Sequence, residues 1–88
     1  MIQKTKKMSR HVIEKSDQAI AYGFDHAEGY FFQLMNVDPK TNEVEQFIID
    51  ESSLMTKLSN AKMLELMTKY KLPEAHIQKV VLDLPIEQ

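Results

Sequence analysis

The spacing of apolar residues changes part-way along this chain, from a period of two to a period near 3.6. Over residues 18–25, large apolar side chains alternate with small residues, which is the pattern of a β-strand with one face against a core. Related alternation recurs over 30–37 and 44–49. After residue 50 the apolar residues follow helical spacing instead. Strands are therefore expected first and helices second.

The first strand is predicted over residues 11–15, ahead of the strand at 18–25. Ser16 and Asp17 between them are turn-forming residues. A two-residue turn at this point sets Ile13 opposite Ile20, on the same face of a hairpin. The two segments are therefore expected to pair in antiparallel fashion.

The next two connections are also short and polar. Residues 25–29 end in Gly29, which suits a positive φ, and residues 38–42 contain Pro39, which presets φ at the second position of a turn. Strands joined by short loops pair with their neighbours along the chain. We therefore predict a four-stranded antiparallel meander.

The pattern after residue 52 fits more than one arrangement of helices. A first helical turn is expected over 53–58, and a longer helix capped at residue 59 or 60 runs to Lys71. The two form either one kinked helix or two helices. A last helix is predicted over 73–84, with a fifth strand at 79–84 as the alternative. The fold class is α+β, with two or three C-terminal helices packed on one face of the sheet.

The chain divides into a tail and one domain. Residues 1–9 are predicted to be a flexible basic tail, and residues 10–88 a single α+β domain. Met8 precedes the first patterned segment, so it competes with Met1 as the natural start of translation.

A sheet with helices on one side leaves its other side without a cover from this chain. The alternation places Phe31, Met35 and Phe47 on that second side, beside the small residues of the strand at 18–25. These three residues are the candidate interaction surface, because an apolar face without a cover indicates a partner or a second copy of the chain.

Composition indicates the compartment. The chain has no cysteine, which excludes disulfides and thiolate ligands and favours the cytoplasm for a domain of this size. It has neither the apolar core of a signal peptide nor an apolar run long enough to span a bilayer, so no membrane association is expected.

Charge is distributed unevenly along the chain. The net charge is −2, but the first ten residues carry no acidic group and four basic ones. The basic residues are Lys4, Lys6, Lys7 and Arg10. These residues are the candidate nucleic-acid contacts of an alternative reading, a regulator that binds phosphates through a basic arm. Seven basic and thirteen acidic groups in the rest of the chain repel nucleic acid, so such binding is not the main expectation.

No catalytic, cofactor or metal site is predicted. The two glycines form no phosphate-binding loop, and no serine has the flanking glycines of a nucleophile elbow. His26 with Asp25 and Glu28 is the best arrangement for a metal, but a solvated hairpin loop explains these residues more simply. The sequence therefore favours a non-enzymatic protein-interaction module, an adaptor, inhibitor or regulator that binds another protein or itself as a homodimer.

Overall fold

A computed structural model shows an α+β fold in which an antiparallel sheet precedes two helices, as predicted. It describes residues 8–86, with Met8 described by its backbone alone. The elements, in chain order, are β1 (Met8–Glu14), β2 (Gln18–Asp25), β3 (Gly29–Val37), β4 (Val44–Ser52), α1 (Asn60–Lys69) and α2 (Glu74–Val81). The strand order β1-β2-β3-β4 is that of a meander, so β1 and β4 form the two edges.

The pairing register confirms the two faces predicted for the central strands. Ile13 pairs with Ile20, and Tyr22 pairs with Phe32. One side of the sheet, here called the tyrosine face, carries the larger residues of β2 and their partners on β3, which are Ile20, Tyr22, Phe24, Tyr30, Phe32 and Leu34. The other side, here called the alanine face, carries Ala19, Ala21, Gly23, Phe31, Gln33, Met35 and Val37.

The main core joins the tyrosine face to residues of both helices. Phe32 is fully buried, and its ring lies 5.7 Å from that of Tyr70 between centroids. The helices and their flanking segments contribute Leu58, Met63, Leu66, Met67, Leu72, Val80 and Ile86 to the same cluster. Burial of this set supplies most of the apolar contact that stabilises a domain of this size.

The C-terminal segment is attached to the sheet by two side-chain hydrogen bonds. Tyr30 Oη donates to the carbonyl of Leu84 at 2.7 Å, and Ser9 Oγ donates to the carbonyl of Ile86. These bonds reach β3 and β1, so they hold the chain after α2 across several strands.

The helical region has two helices, and residues 53–58 are not one of them. The amides of Thr56 and Leu58 both donate to the carbonyl of Ser52, so this segment folds back on the end of β4. Ser59 caps α1 as predicted, because its side chain accepts a hydrogen bond from Lys62 N. Residues 79–81 belong to α2, and within residues 8–86 the sheet has no fifth strand.

The first strand is longer than the sequence predicts. β1 begins at Met8 and not at His11, so Met8 and Ser9 belong to the sheet and not to the predicted tail. Residues 1–7, the rest of that tail, lie outside the described part of the chain.

Strand β4 departs from the strict alternation predicted for residues 44–49. Leu34 pairs with Ile49, but Met35 pairs with Phe47, so Ile48 has no partner across the ladder. A second shift leaves Glu45 between two paired positions. Each bulge moves the following side chain to the other face. Phe47 therefore lies on the alanine face and Ile49 on the tyrosine face, whereas simple alternation puts them together.

Candidate interaction surface

The alanine face has an apolar cluster of its own. Ala19, Ala21, Met35 and Val37 are buried against one another, and no described residue of either helix belongs to this cluster. Val12 and Phe47 flank it on the two edge strands and are each about half exposed, at 50% and 49%. The cluster is thus separate from the main core and is bordered by apolar side chains in contact with solvent.

The structure places the three predicted surface residues on this one face but exposes them unequally. Met35 pairs with both Ala19 and Phe47, and Phe31 pairs with Gly23. Phe31 and Met35 are 8% and 4% exposed, so their side chains already contact their own chain over most of their surface. Phe47 is the member of the set that offers a large apolar area to a partner.

Gly23 allows the ring of Phe31 to lie close over the sheet. A Cβ atom at residue 23 would overlap the backbone oxygen of Ser9 and lie 3.1 Å from Cζ of Phe31. The guanidinium of Arg10 covers the same ring, with its Cζ 5.9 Å from the ring centroid. The close approach of β1, β2 and Phe31 at this point therefore requires glycine.

A chain of polar contacts crosses the alanine face above Gly23. Arg10 Nη1 donates to Gln33 Oε1 at 3.1 Å, and Gln33 Nε2 donates to Asp50 Oδ1 at 3.2 Å. These residues line a cavity of about 430 Å³ at the end of the sheet that carries the 25–29 loop. Four carboxylates and a single guanidinium line it, the former from Asp25, Glu28, Asp50 and Glu51. The local charge is therefore negative.

The predicted nucleic-acid contacts are only partly described. Lys4, Lys6 and Lys7 lie outside the described residues. Arg10 lies in the cavity with the four carboxylates, and these groups repel the phosphates that Arg10 was expected to bind.

In the 25–29 loop, which was considered for a metal, the Asp25 side chain is already bonded to backbone amides. Asp25 Oδ1 accepts hydrogen bonds from the amides of Ala27 and Glu28, at 2.7 and 3.3 Å, and Gly29 adopts a φ of 79°. His26 packs edge-on against Phe24, with the ring centroids 5.5 Å apart. Within residues 8–86 no three histidine or acidic side chains are grouped closely enough to hold a metal ion.

A cluster that sequence reasoning missed joins β1, β2 and α2. The rings of His11 and His76 lie 4.3 Å apart between centroids, and Tyr22 Oη is 2.7 Å from Nδ1 of His76. The spacing of α2 could have indicated that His76 faces the sheet. His76 lies four residues before the buried Val80, and residues four apart share one side of a helix.

Burial shifts the pKa values of two members of this cluster, His76 and Tyr22. Desolvation lowers the pKa of His76 from its ordinary value of 6.5, and the nearby imidazole of His11 lowers it further. Burial also raises the pKa of Tyr22, which keeps its phenol protonated. The cluster therefore joins α2 to the sheet through a hydrogen bond and ring contacts, and burial favours the neutral forms of His76 and Tyr22.

No helix within residues 8–86 is long and apolar enough to cross a membrane. Comparison with known proteins finds no matching family model, no matching curated protein and no matching solved structure. The function therefore has to be inferred from the residues and the geometry described above.

Proposed function

We propose that this protein is a non-enzymatic interaction module of the cytoplasm that binds another protein through the alanine face. The observation that carries the proposal is the apolar cluster of that face, which is separate from the main core and bordered by the half-exposed Val12 and Phe47. Apolar residues grouped around a buried cluster favour association, because a partner removes their remaining surface from water.

The polar contacts around the cluster fit the same role. Arg10 and Asp50 are exposed, and both are hydrogen-bonded to the partly buried Gln33 beside the apolar residues. Interfaces commonly have an apolar centre and a hydrated polar rim. On the alanine face these residues supply part of the rim, and Phe47 with the buried cluster supplies the apolar area.

The alternative, a nucleic-acid regulator that uses a basic arm, has less support among the described residues. The carboxylates around Arg10 oppose a phosphate at the one predicted contact that the structure describes. We therefore retain protein binding as the function.

The test compares two substitutions at sites of similar exposure on different parts of the molecule. Phe47→Asp introduces a negative charge on the alanine face, at a residue that is 49% exposed. Val81→Asp introduces the same charge at the end of α2, at a residue that is 53% exposed. A tagged protein is used to capture partners from its native cells at low and high salt. We expect a protein partner that resists high salt, is retained by Val81→Asp and is lost by Phe47→Asp.

Circular dichroism provides the control for both variants, since each must keep the far-ultraviolet spectrum and cooperative melting of the original protein. A partner retained equally by both folded variants would contradict the proposal. Recovery of nucleic acid that is lost at high salt would favour the basic arm instead.

A further inference from the structure

Within residues 8–86 no strand pairs with the outer edge of β1, and the adjoining hairpin shows which backbone groups point to that edge. Lys15 N donates to the carbonyl of Gln18 at 2.7 Å, across a two-residue turn. Successive residues of a strand direct their N–H and C=O groups to opposite sides. The odd-numbered residues of β1 therefore bond to β2, and the even-numbered residues Arg10, Val12 and Glu14 direct their backbone groups away from the sheet.

The side chains of those three residues form a pattern that is complementary to itself. Arg10, Val12 and Glu14 pair with Gly23, Ala21 and Ala19 respectively, so all three lie on the alanine face. The positive and the negative residue are each two positions from Val12. If two β1 strands met antiparallel about an axis through Val12, each Arg10 would lie opposite Glu14 of the other copy.

We propose that a second copy of this chain pairs with β1 in this register, so that two sheets join into one of eight strands. Val12 meets its own equivalent at the centre, with an Arg10–Glu14 pair on each side. This inference goes beyond the proposed function, because it concerns an edge of the sheet and leaves the buried apolar cluster and Phe47 of both copies available.

The residues concerned are accessible for such pairing. Arg10 and Glu14 are exposed and Val12 is 50% exposed. Within residues 8–86 Lys62 and Glu65 form an ion pair, and neither Arg10 nor Glu14 has an ionic partner in this part of the chain. Turning Arg10 from Gln33 towards Glu14 of the second copy replaces a bond to a neutral acceptor with an ion pair in which both groups are charged.

The opposite edge explains why assembly stops at two copies. β4 contains two bulges, and residues 43–51 carry four acidic groups and no basic one. Bulges and like charges are the devices by which edge strands resist pairing. β1 pairs with β2 over seven consecutive residues without a register shift, so it is the regular edge. Pairing of β1 with β1 uses the same patch on both copies, and an interface of this kind closes as a dimer.

The register is tested with two single charge reversals, measured separately and then mixed. Glu14→Arg places two positive residues opposite each other in a homodimer, and Arg10→Glu places two negative residues opposite each other. In a mixed dimer every such pair joins opposite charges again. Sedimentation equilibrium of the full chain at low salt gives the dissociation constant of each species, and thermal melting verifies that each variant is folded.

We expect the original protein to dimerise, each single variant to dimerise at least about tenfold more weakly, and the equimolar mixture to regain the original affinity within about threefold. Phe47→Asp should leave this dissociation constant unchanged, which separates the edge dimer from partner binding at the alanine face. An original protein that remains monomeric at about 1 mM would overturn the inference. A mixture as weak as its components, or a dimer dissociated by Phe47→Asp, would overturn it as well.

Discussion

Phe32 and Phe47 belong to the same sheet but differ in how far their side chains are buried. Phe32 lies on the tyrosine face, is fully buried and contacts the ring of Tyr70. Phe47 lies opposite Met35 on the alanine face and keeps half of its surface exposed. The comparison shows that this chain uses one face of its sheet to build the core and leaves a large apolar residue of the other face available, which is the basis of the proposed function.

The largest expected effect is on the tyrosine face. Phe32→Ala should lower the free energy of unfolding by about 3–5 kcal/mol, because it removes a fully buried ring from the main core. The matched change Phe47→Ala should cost only about 0.5 kcal/mol, as is usual for an exposed site. Urea unfolding of both variants measures the difference, and equal losses would show that the two faces are equivalent parts of one core.

A smaller loss is expected from Gly23→Ala, which tests how the alanine face is built. The added methyl group overlaps the backbone oxygen of Ser9 and lies close to Phe31, so we expect a destabilisation of about 1–3 kcal/mol. Ala27→Gly, in the exposed 25–29 loop, is a control that changes a single methyl group without entering either face. A melting temperature unaffected by Gly23→Ala would contradict the close approach of β1, β2 and Phe31.

Acidification should lower the stability of the domain through His76, which contacts Tyr22 of the tyrosine face. Because folding lowers the pKa of His76 below 6.5, the unfolded chain binds more protons than the folded chain between the two pKa values. The contribution of His76 to stability is therefore complete above pH 6.5 and is lost as the pH falls through the window below it. Melting temperatures measured across this range should decrease with decreasing pH.

The histidine responsible can be identified by substitution. His76→Gln removes the titrating group and should flatten the pH dependence, whereas His26→Gln, in an exposed loop, should leave it as it is. If His76→Gln melted with the same pH dependence as the original protein, the cluster of His11, Tyr22 and His76 would not be its source.

The smallest expected effects on stability belong to substitutions of Phe47, including Phe47→Asp. Its half-exposed position should limit the loss to about 1 kcal/mol, so the variant remains folded. Circular dichroism and urea unfolding measure that loss. A variant that unfolds outright would show that Phe47 is part of the core and would remove the basis for a binding role.

Regular alternation made the two central strands predictable, since large and small residues of β2 differ clearly in size. The same reasoning could not detect the bulge at Ile48, because three successive apolar residues, Phe47, Ile48 and Ile49, fit either phase. The segment at 53–58 has helical spacing, but the amides of Ser53 and Leu54 donate to the carbonyls of Tyr30 and Glu28. In both cases tertiary pairing overrides a local pattern.

For the candidate sites, too, spacing within a strand was predictable, whereas contacts between residues far apart in sequence were not. That Phe31, Met35 and Phe47 share a face followed from spacing, but the burial of Phe31 depends on Gly23 and Arg10 from two other strands. The contact between His11 and His76 joins positions 65 residues apart in sequence. No periodicity within a segment contains that information.

The capture experiment with Phe47→Asp and Val81→Asp tests the central claim most directly, because both variants add one charge at similarly exposed sites. If the alanine face is the binding surface, the salt-resistant partner is retained by Val81→Asp and lost by Phe47→Asp, while both variants melt cooperatively. Retention of that partner by a folded Phe47→Asp variant would contradict the account.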